Sequence, residues 1–351
     1  MAPNFRSALR RKLLRWYQTN KRDLPWRWTR DPYAIWISET MLQQTRVAVV
    51  VPYYERFLEE FPSIDALARA RLSKVLRLWS GLGYYRRAEN LRQAARQIMR
   101  RHGGVMPQDF AELRALAGIG DYTAGALLSI AFGKPYPAID GNVRRVLGRL
   151  LGNADARRVH ALAAEIIPAK RPGEFNQAIM ELGATVCTPK NPRCAACALR
   201  SLCAGRTRAR APSVRRRKPE FKTVVWPLAL VRRGDKILLR RRGAGGLLGG
   251  LWELPGGEMN FSEPVAALLR RHLQALGALP RPKKIGMMRH AITHRRIRAP
   301  LYLFDLAGKT ACKLPRAHWR WVERDKLAAQ ATSSMTAKAG RFLFAHEEAP
   351  G

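Results

Sequence analysis

Apolar residues recur at intervals of three and four through most of residues 6–205, in the runs 33–50, 64–79, 88–101, 110–117, 122–132, 143–151, 156–167 and 174–184. That spacing lines one face of an α-helix. Asp31-Pro32 and Asp155 stand where helices should start, because a short carboxylate caps the free N–H groups of a first turn and proline fits its geometry. Gly81, Gly83, Gly103-Gly104 and Pro168 mark breaks. Beyond residue 220 the pattern changes. "FKTVVWPLALVRR", "KILLRRR" and "PLYLFDL" are β-rich runs, "RRGD" reads as a turn between the first two, and a helix at about 263–276 interrupts them. The chain is therefore expected to be multi-domain, with an all-α domain over 1–205 and a small α/β domain over 223–345. Residues 206–222 join them, and "RTRARAPSVRRRKPE" there carries seven cations, two prolines and no acid before Glu220. This is a linker by composition, charged so that it can lie along phosphates.

Composition narrows the partner. The 351 residues are enough for two ordinary cores, and the hydrophobic fraction of 47% makes the chain globular. Sixty-four Lys and Arg against 26 Asp and Glu give a formal charge of +38. Such an imbalance self-repels in isolation and is relieved beside a polyanion. An Arg-rich proteome would account for part of the magnitude, but the sign points to nucleic acid. No apolar run is long enough to span a membrane. The N-terminus lacks the apolar stretch of a secretory signal, and four of five cysteines are clustered, so a reducing, cytoplasmic setting is expected.

Four segments carry chemistry. In "CTPKNPRCAACALRSLC" the spacing is C-x6-C-x2-C-x5-C, from Cys187, Cys194, Cys197 and Cys203. Four thiolates this close imply a metal, either zinc or a [4Fe–4S] cluster, and a compact loop with only one short C-x2-C pair favours iron–sulfur. "LAGIGDYTAGALLSIAFG" places Gly118 and Gly120 between two helical runs, a tight turn whose following helix offers free N–H groups to one phosphate. "YPAIDGNVRRVLGRL" puts Asp140 before a helix, where an ordinary N-cap is the simpler reading of the residue alone. "PYAIWISETMLQQTRVAVV" holds Glu39, flanked on its helix face by Ile35, Trp36, Leu42 and Gln43 with no cation. A carboxyl so placed should be desolvated and raised in pKa, which suits it to donate a proton.

Together these segments resemble the endonuclease III superfamily of helix–hairpin–helix DNA glycosylases, over roughly residues 10–205. "LPWRWTRDPYAIWISETMLQQT" and "GLGYYRRAENL" are more narrowly similar to the MutY family of adenine glycosylases. The resemblance implies roles. Glu39 protonates the flipped adenine, and Asp140 stabilises the positive charge developing on the sugar, supported by Tyr122 and Asn142. Trp26, Arg27, Leu42 and Glu181 match adenine-pocket positions. Gln44 and Tyr84 match residues that wedge into the base stack. Gly118 and Gly120 bind a DNA phosphate, and the four cysteines hold a structural [4Fe–4S] cluster. Bifunctional members carry lysine where this chain has Tyr122, and a phenol forms no Schiff base, so a monofunctional enzyme is expected. An endonuclease III-type pyrimidine glycosylase and lyase is the alternative enzyme, and a catalytically silent damage-binding protein the alternative class.

The second domain resembles a Nudix hydrolase that has lost its chemistry. In "GLWELPGGEMNFSEPVAALLRRHLQALG", Gly257, Glu263, Arg271 and Leu273 fit the box, but His272, Ala275 and Leu276 replace acids that would ligate magnesium. In MutY proteins such a domain reads 8-oxoguanine through a Phe-Ser-His segment, which here is Ile292, Thr293 and His294. The implied substrate is duplex DNA with an A:8-oxoguanine or A:G mispair, bound by a monomer.

Overall fold

The computed structural model describes residues 3–152, 155–207, 221–243, 249–260, 263–292, 295–306, 314–315 and 317–347. Two compact units divide the chain. The first comprises Met1–Ala70 and Arg86–Lys218, and the second comprises Arg71–Tyr85 and Pro219–Gly351.

The first unit is helical. Its helices are α1 (Pro3–Asn20), α2 (Pro32–Leu42), α3 (Val47–Glu60) and α4 (Ile64–Arg69), then, after the segment holding α5 (Leu72–Leu78), α6 (Arg86–His102), α7 (Phe110–Arg114), α8 (Asp121–Ala126), α9 (Gly141–Leu151), α10 (Ala156–Ile166) and α11 (Pro172–Thr185). Helix α1 escaped the apolar pattern because arginines crowd it, yet Leu9, Leu13 and Tyr17, four apart, are fully buried. They join Val143, Leu147 and Leu150 of α9, Val159 and Ile166 of α10, and Phe175 and Leu182 of α11 in one core. Asp31 and Asp155 do cap α2 and α10, accepting from Tyr33 and Ala34 N–H and from Arg158 N–H.

The run 33–50 is two helices, not one. Helix α2 is apolar on all sides, with every residue from Tyr33 to Met41 buried. It stops because Arg87 of α6 donates Nη1 to the carbonyl oxygens of Thr40, Met41 and Gln43, at 2.9, 2.9 and 2.6 Å. A cation there also opposes the negative end of the helix dipole. The chain then turns through Gln44 at φ +59° before α3 begins. Likewise 64–79 is broken at Ala70–Arg71 into α4 and α5.

The second unit is built on a seven-stranded sheet ordered β1 (Lys222–Val225), β6 (Arg295–Asp305), β2 (Leu228–Arg233), β3 (Lys236–Arg241), β4 (Trp252–Glu253). Strand β5 (Lys283–Ile292) pairs with β6, and β7 (Trp319–Glu323) with β3. Strands β1 and β2 run parallel to β6, and the remaining pairs are antiparallel. Alternation along β2 and β3 splits the core between the two faces. Leu228, Leu230, Ile237 and Leu239 pack with Met335 and Ala339 of α13 (Ser334–Glu347), while Ala229, Val231 and Leu238 pack with Leu268, Leu269 and Leu273 of α12 (Val265–Leu273). The β-rich run at 221–233 is two strands, β1 and β2; the sequence pattern also anticipated β3, β6 and α12, and missed β4, β5, β7 and α13.

Candidate active site and cysteine loop

A cavity of about 580 Å³ opens in the first unit. It is lined by nine of the candidate site residues named from sequence: Trp26, Arg27, Glu39, Leu42, Gln44, Tyr122, Asp140, Asn142 and Glu181. Glu39 projects from the apolar helix α2 and is 5% exposed. Burial pushes its carboxyl up to about 7. A hydrogen bond from the Tyr122 hydroxyl opposes this, the Asp140 carboxylate adds to it, and Arg27 again opposes. Tyr122, on α8, is itself held neutral by burial and by the two acids.

Asp140 is both an N-cap and a cavity carboxylate. Its Oδ1 accepts from Val143 N–H at 2.7 Å and its Oδ2 from Asn142 Nδ2 at 2.8 Å. Burial raises its pKa while those donors and Arg145 pull the other way. Asn142 is oriented in turn by Arg145, whose Nη2 donates to Asn142 Oδ1 at 2.7 Å and to Gly183 O at 2.8 Å. Gly183 is required here, since a Cβ would lie 2.6 Å from Asn142 Cβ.

Glu181 is almost fully enclosed and held by two guanidiniums. Arg22 donates Nε to Oε1 at 2.7 Å and Nη2 to Oε2 at 2.9 Å, and Arg27 donates Nη2 to Oε2 at 2.5 Å. Burial would raise this carboxyl, but Arg22 and then Arg27 hold it below its ordinary value. The two carboxyls of the cavity are thus shifted in opposite directions, Glu181 down and Glu39 up. Trp26, in the short 3₁₀ turn Pro25–Arg27, packs edge-on against Tyr54. Sequence reasoning missed Arg22 and Arg145, whose roles depend on partners 159 and 38 residues away.

In the hairpin between α7 and α8, Gly118 has φ +77° and a Cβ there would strike Asn90 at 2.7 Å. Gly120 does not need its freedom: as N-cap of α8 it has φ −94°, open to any residue. The glycine that matters next is Gly125, where a Cβ would lie 2.3 Å from Pro137 O, so it lets α8 close on the segment leading to Asp140. Gln44 and Tyr84 share a rare backbone state. With Arg171 they are the non-glycine residues at positive φ among those described. Tyr84 belongs to the second unit and does not line the cavity.

Cys187, Cys194, Cys197 and Cys203 line one cavity of about 460 Å³, following α11. Leu199 anchors the loop in the α1–α9–α10–α11 core. Arg149 ties it to α9, donating Nη1 to Cys187 Sγ at 3.3 Å and to Thr188 O at 2.7 Å, and Arg145 Nε donates to Cys187 O at 2.8 Å. Among the described residues no three potential ligands converge on one point. A single tetrahedral zinc would need four sulfurs about 2.3 Å from a common centre. All four thiols face this one cavity, a donor set that could hold a metal centre.

In the second unit Glu263 is paired to Arg271, and His272 Nδ1 lies 2.7 Å from Arg240 Nη1. Burial and then Arg240 hold His272 down at about 4. These positions thus present an imidazole, a guanidinium and a carboxylate already paired with Arg271, a poor donor set for magnesium. Ile292 ends β5 opposite Arg295. Thr293 and His294, and most of the linker 206–222, lie outside the described residues. Among those described, no helix is long and apolar enough to cross a membrane.

Residues 37–169 match the family model of the HhH-GPD superfamily base excision DNA repair protein, and residues 228–339 match a NUDIX domain. The adenine DNA glycosylase of Homo sapiens is 35% identical, covering 95% of this chain and 74% of its own length, and that of Rattus norvegicus 36%, covering 93% and 76%. Among solved structures, a thermostable thymine-DNA glycosylase aligns with TM-score 0.55 and 30% identity, over 58% of this chain and 97% of its own. A trapped endonuclease III–DNA covalent intermediate aligns with TM-score 0.50 and 24% identity over 57% and 96%, a likeness of fold.

Proposed function

Because this chain belongs to the adenine DNA glycosylases of the HhH-GPD superfamily, we propose that it removes adenine paired with 8-oxoguanine, or with guanine, as a monomeric and monofunctional hydrolase of the N-glycosidic bond. The observation that carries this reading is the pairing of two carboxyls of unlike character in one cavity: Glu39, raised to about 7, and Asp140, braced by N–H donors. Adenine must leave the stack before its glycosidic bond can be reached, at a cost of a few kcal/mol. A cavity of about 580 Å³ is large enough to receive it.

Glu39 donates its proton to a ring nitrogen of the extruded base and makes it a leaving group. A pKa near neutrality keeps that proton available while leaving it acidic enough to transfer. Tyr122, donating to Oε2, fixes the carboxyl and leaves Oε1 to face the base. As the bond to adenine breaks, the sugar becomes cationic, and Asp140 supplies a preoriented negative charge. Trp26, Arg27 and Leu42 hold the base, and Glu181 keeps Arg27 in place. Gln44 and Tyr84 fill the gap in the stack, and Gly118 and Gly120 seat a phosphate. Water then adds to the sugar carbon and gives up a proton, and since Tyr122 has no amine to form a Schiff base the product is an intact strand with an abasic site. Denaturing gels should show cleavage only after alkali or heat. A stoichiometric adduct trapped by borohydride would overturn the monofunctional reading.

The four cysteines would hold a [4Fe–4S] cluster, which supplies structure to a basic loop against DNA. The purified protein should be brown, and analysis should give iron with acid-labile sulfide. One zinc and no iron would refute the assignment. Cys194→Ser should lower folding yield or DNA affinity more than the rate of bound substrate.

Domain 223–345 reads the opposite base. Thr293→Ala with His294→Ala should reduce the preference for 8-oxoguanine over guanine by about 1–3 kcal/mol in relative kcat/KM, the usual worth of hydrogen-bond readout of one base. Ile292→Phe should tighten lesion binding if a stacked ring contributes. Point substitution is the cleaner test, because deleting 223–351 would also strip Arg71–Tyr85 of its packing. An unchanged preference in the double variant would place the reader in the first domain, near Gln44.

A further inference from the structure

The second unit includes a stretch from early in the chain, and two hydroxyls of that stretch reach one backbone oxygen of the later part. The carbonyl of Thr332 accepts from Ser80 Oγ at 2.9 Å and from the Tyr85 hydroxyl at 3.0 Å, across 252 and 247 residues. Thr332 is 1% exposed, its N–H donates to Gln330 O, and it bridges Trp252 of β4. On the other side the loop is closed on itself: Gly81 N–H donates to the Tyr85 hydroxyl at 3.3 Å, and Trp79 Nε1 donates to Gly83 O at 3.1 Å.

Inside this loop Gly81, Gly83 and Tyr84 have φ of +102°, +72° and +48°. The glycines adopt such angles cheaply, but a tyrosine does not, and the state persists only where surroundings impose it. Leu82 and Tyr85 on either side are buried, whereas Tyr84 is 45% exposed. One aromatic ring is therefore held outward at a conformational cost. A carbonyl has two lone pairs, and two hydroxyls from the ends of the loop use this one.

We propose that Ser80 and Tyr85 are positioning residues which, through the Thr332 carbonyl, hold Tyr84 in its exposed left-handed conformation, so that the unit reading the opposite base also sets the wedge. This rests on the reading of Tyr84 as the wedge given above. The clamp acts on the capture of the mispair and not on the glycosidic bond, so its loss weakens binding and spares the chemical step.

The experiment uses the full-length protein and a duplex with 8-oxoguanine opposite an uncleavable adenine analogue. Ser80→Ala, Tyr85→Phe and the pair are compared in the wild-type and in the Tyr84→Ala background, with single-turnover rates on cleavable duplex at saturating enzyme. The pair should raise Kd about tenfold, the worth of one to two net hydrogen bonds, with the saturated rate unchanged. In the Tyr84→Ala background it should add nothing, because coupled residues fail additivity. Ser80→Thr, which keeps the hydroxyl, should retain affinity. Equal losses in both backgrounds, or no loss in the wild-type, would overturn the clamp. If Tyr84→Ala alone leaves Kd unchanged, the wedge reading falls and the clamp with it. If Tyr84→Ala weakens binding and the pair does not, the clamp alone is wrong.

Discussion

Glu39→Gln is expected to bind the A:8-oxoguanine duplex while releasing adenine about 10²–10⁴ times more slowly, the range a positioned general acid supplies. Glutamine keeps the shape and still accepts from the Tyr122 hydroxyl, but it has no proton to give. For the wild-type, single-turnover rates should fall as pH rises through about 7, where the carboxyl ionises. The same shift has a thermodynamic signature. The unfolded carboxyl loses its proton near 4.5 and the folded one near 7, so between those values the folded state binds more protons and stability falls as pH rises. Glu39→Gln should thus raise Tm at pH 8 and change it little at pH 4. A glutamine variant that turns over at a substantial fraction of the wild-type rate would refute the acid role. A flat pH profile across 6–8 would refute the pKa argument even if the variant were dead.

Asp140→Asn should cost about 10²–10³ in rate, comparable to removing one preorganised group that stabilises transition-state charge. Its value lies in separating two functions held by one side chain. Asparagine caps a helix about as well as aspartate, so the contact to Val143 N–H survives, and Tm should fall only by the hydrogen bond lost from Asn142 Nδ2, about 1 kcal/mol. Asp140→Ala removes charge and cap together and should lose a further ~1 kcal/mol of stability. Equal activity in Asp140→Asn and wild-type would reduce Asp140 to a cap.

That residue shows where local reading stops. From "AIDGNV" alone the cap is the simpler account, and the structure realises it; the catalytic reading came from resemblance and is supported by a cavity that also contains Glu39. The desolvation of Glu39 was legible, because its neighbours at i−4, i−3, i+3 and i+4 carry no cation and α2 is apolar all round. Its hydrogen-bond partner was not, since Tyr122 lies 83 residues away. Glu181 was legible only as a match to a pocket position. Its ionised state depends on Arg22 and Arg27, which reach it from a turn 159 and 154 residues earlier.

What the chain's own pattern determined is what is decided within a turn or two: which face of each helix is desolvated, where Asp31 and Asp155 begin helices, where period 3.6 yields to period 2, and that four cysteines share one loop. Periodicity records that a surface is buried and carries no record of what buries it. Tertiary structure decided the rest. Arg87 binds the carbonyls at the end of α2 and that of Gln43, from 44 residues beyond Gln43. Gly118 needs its positive φ while Gly120 does not. Within the second unit the hydroxyls of Ser80 and Tyr85 share the buried Thr332 carbonyl, a partner 252 and 247 residues away that no local pattern records.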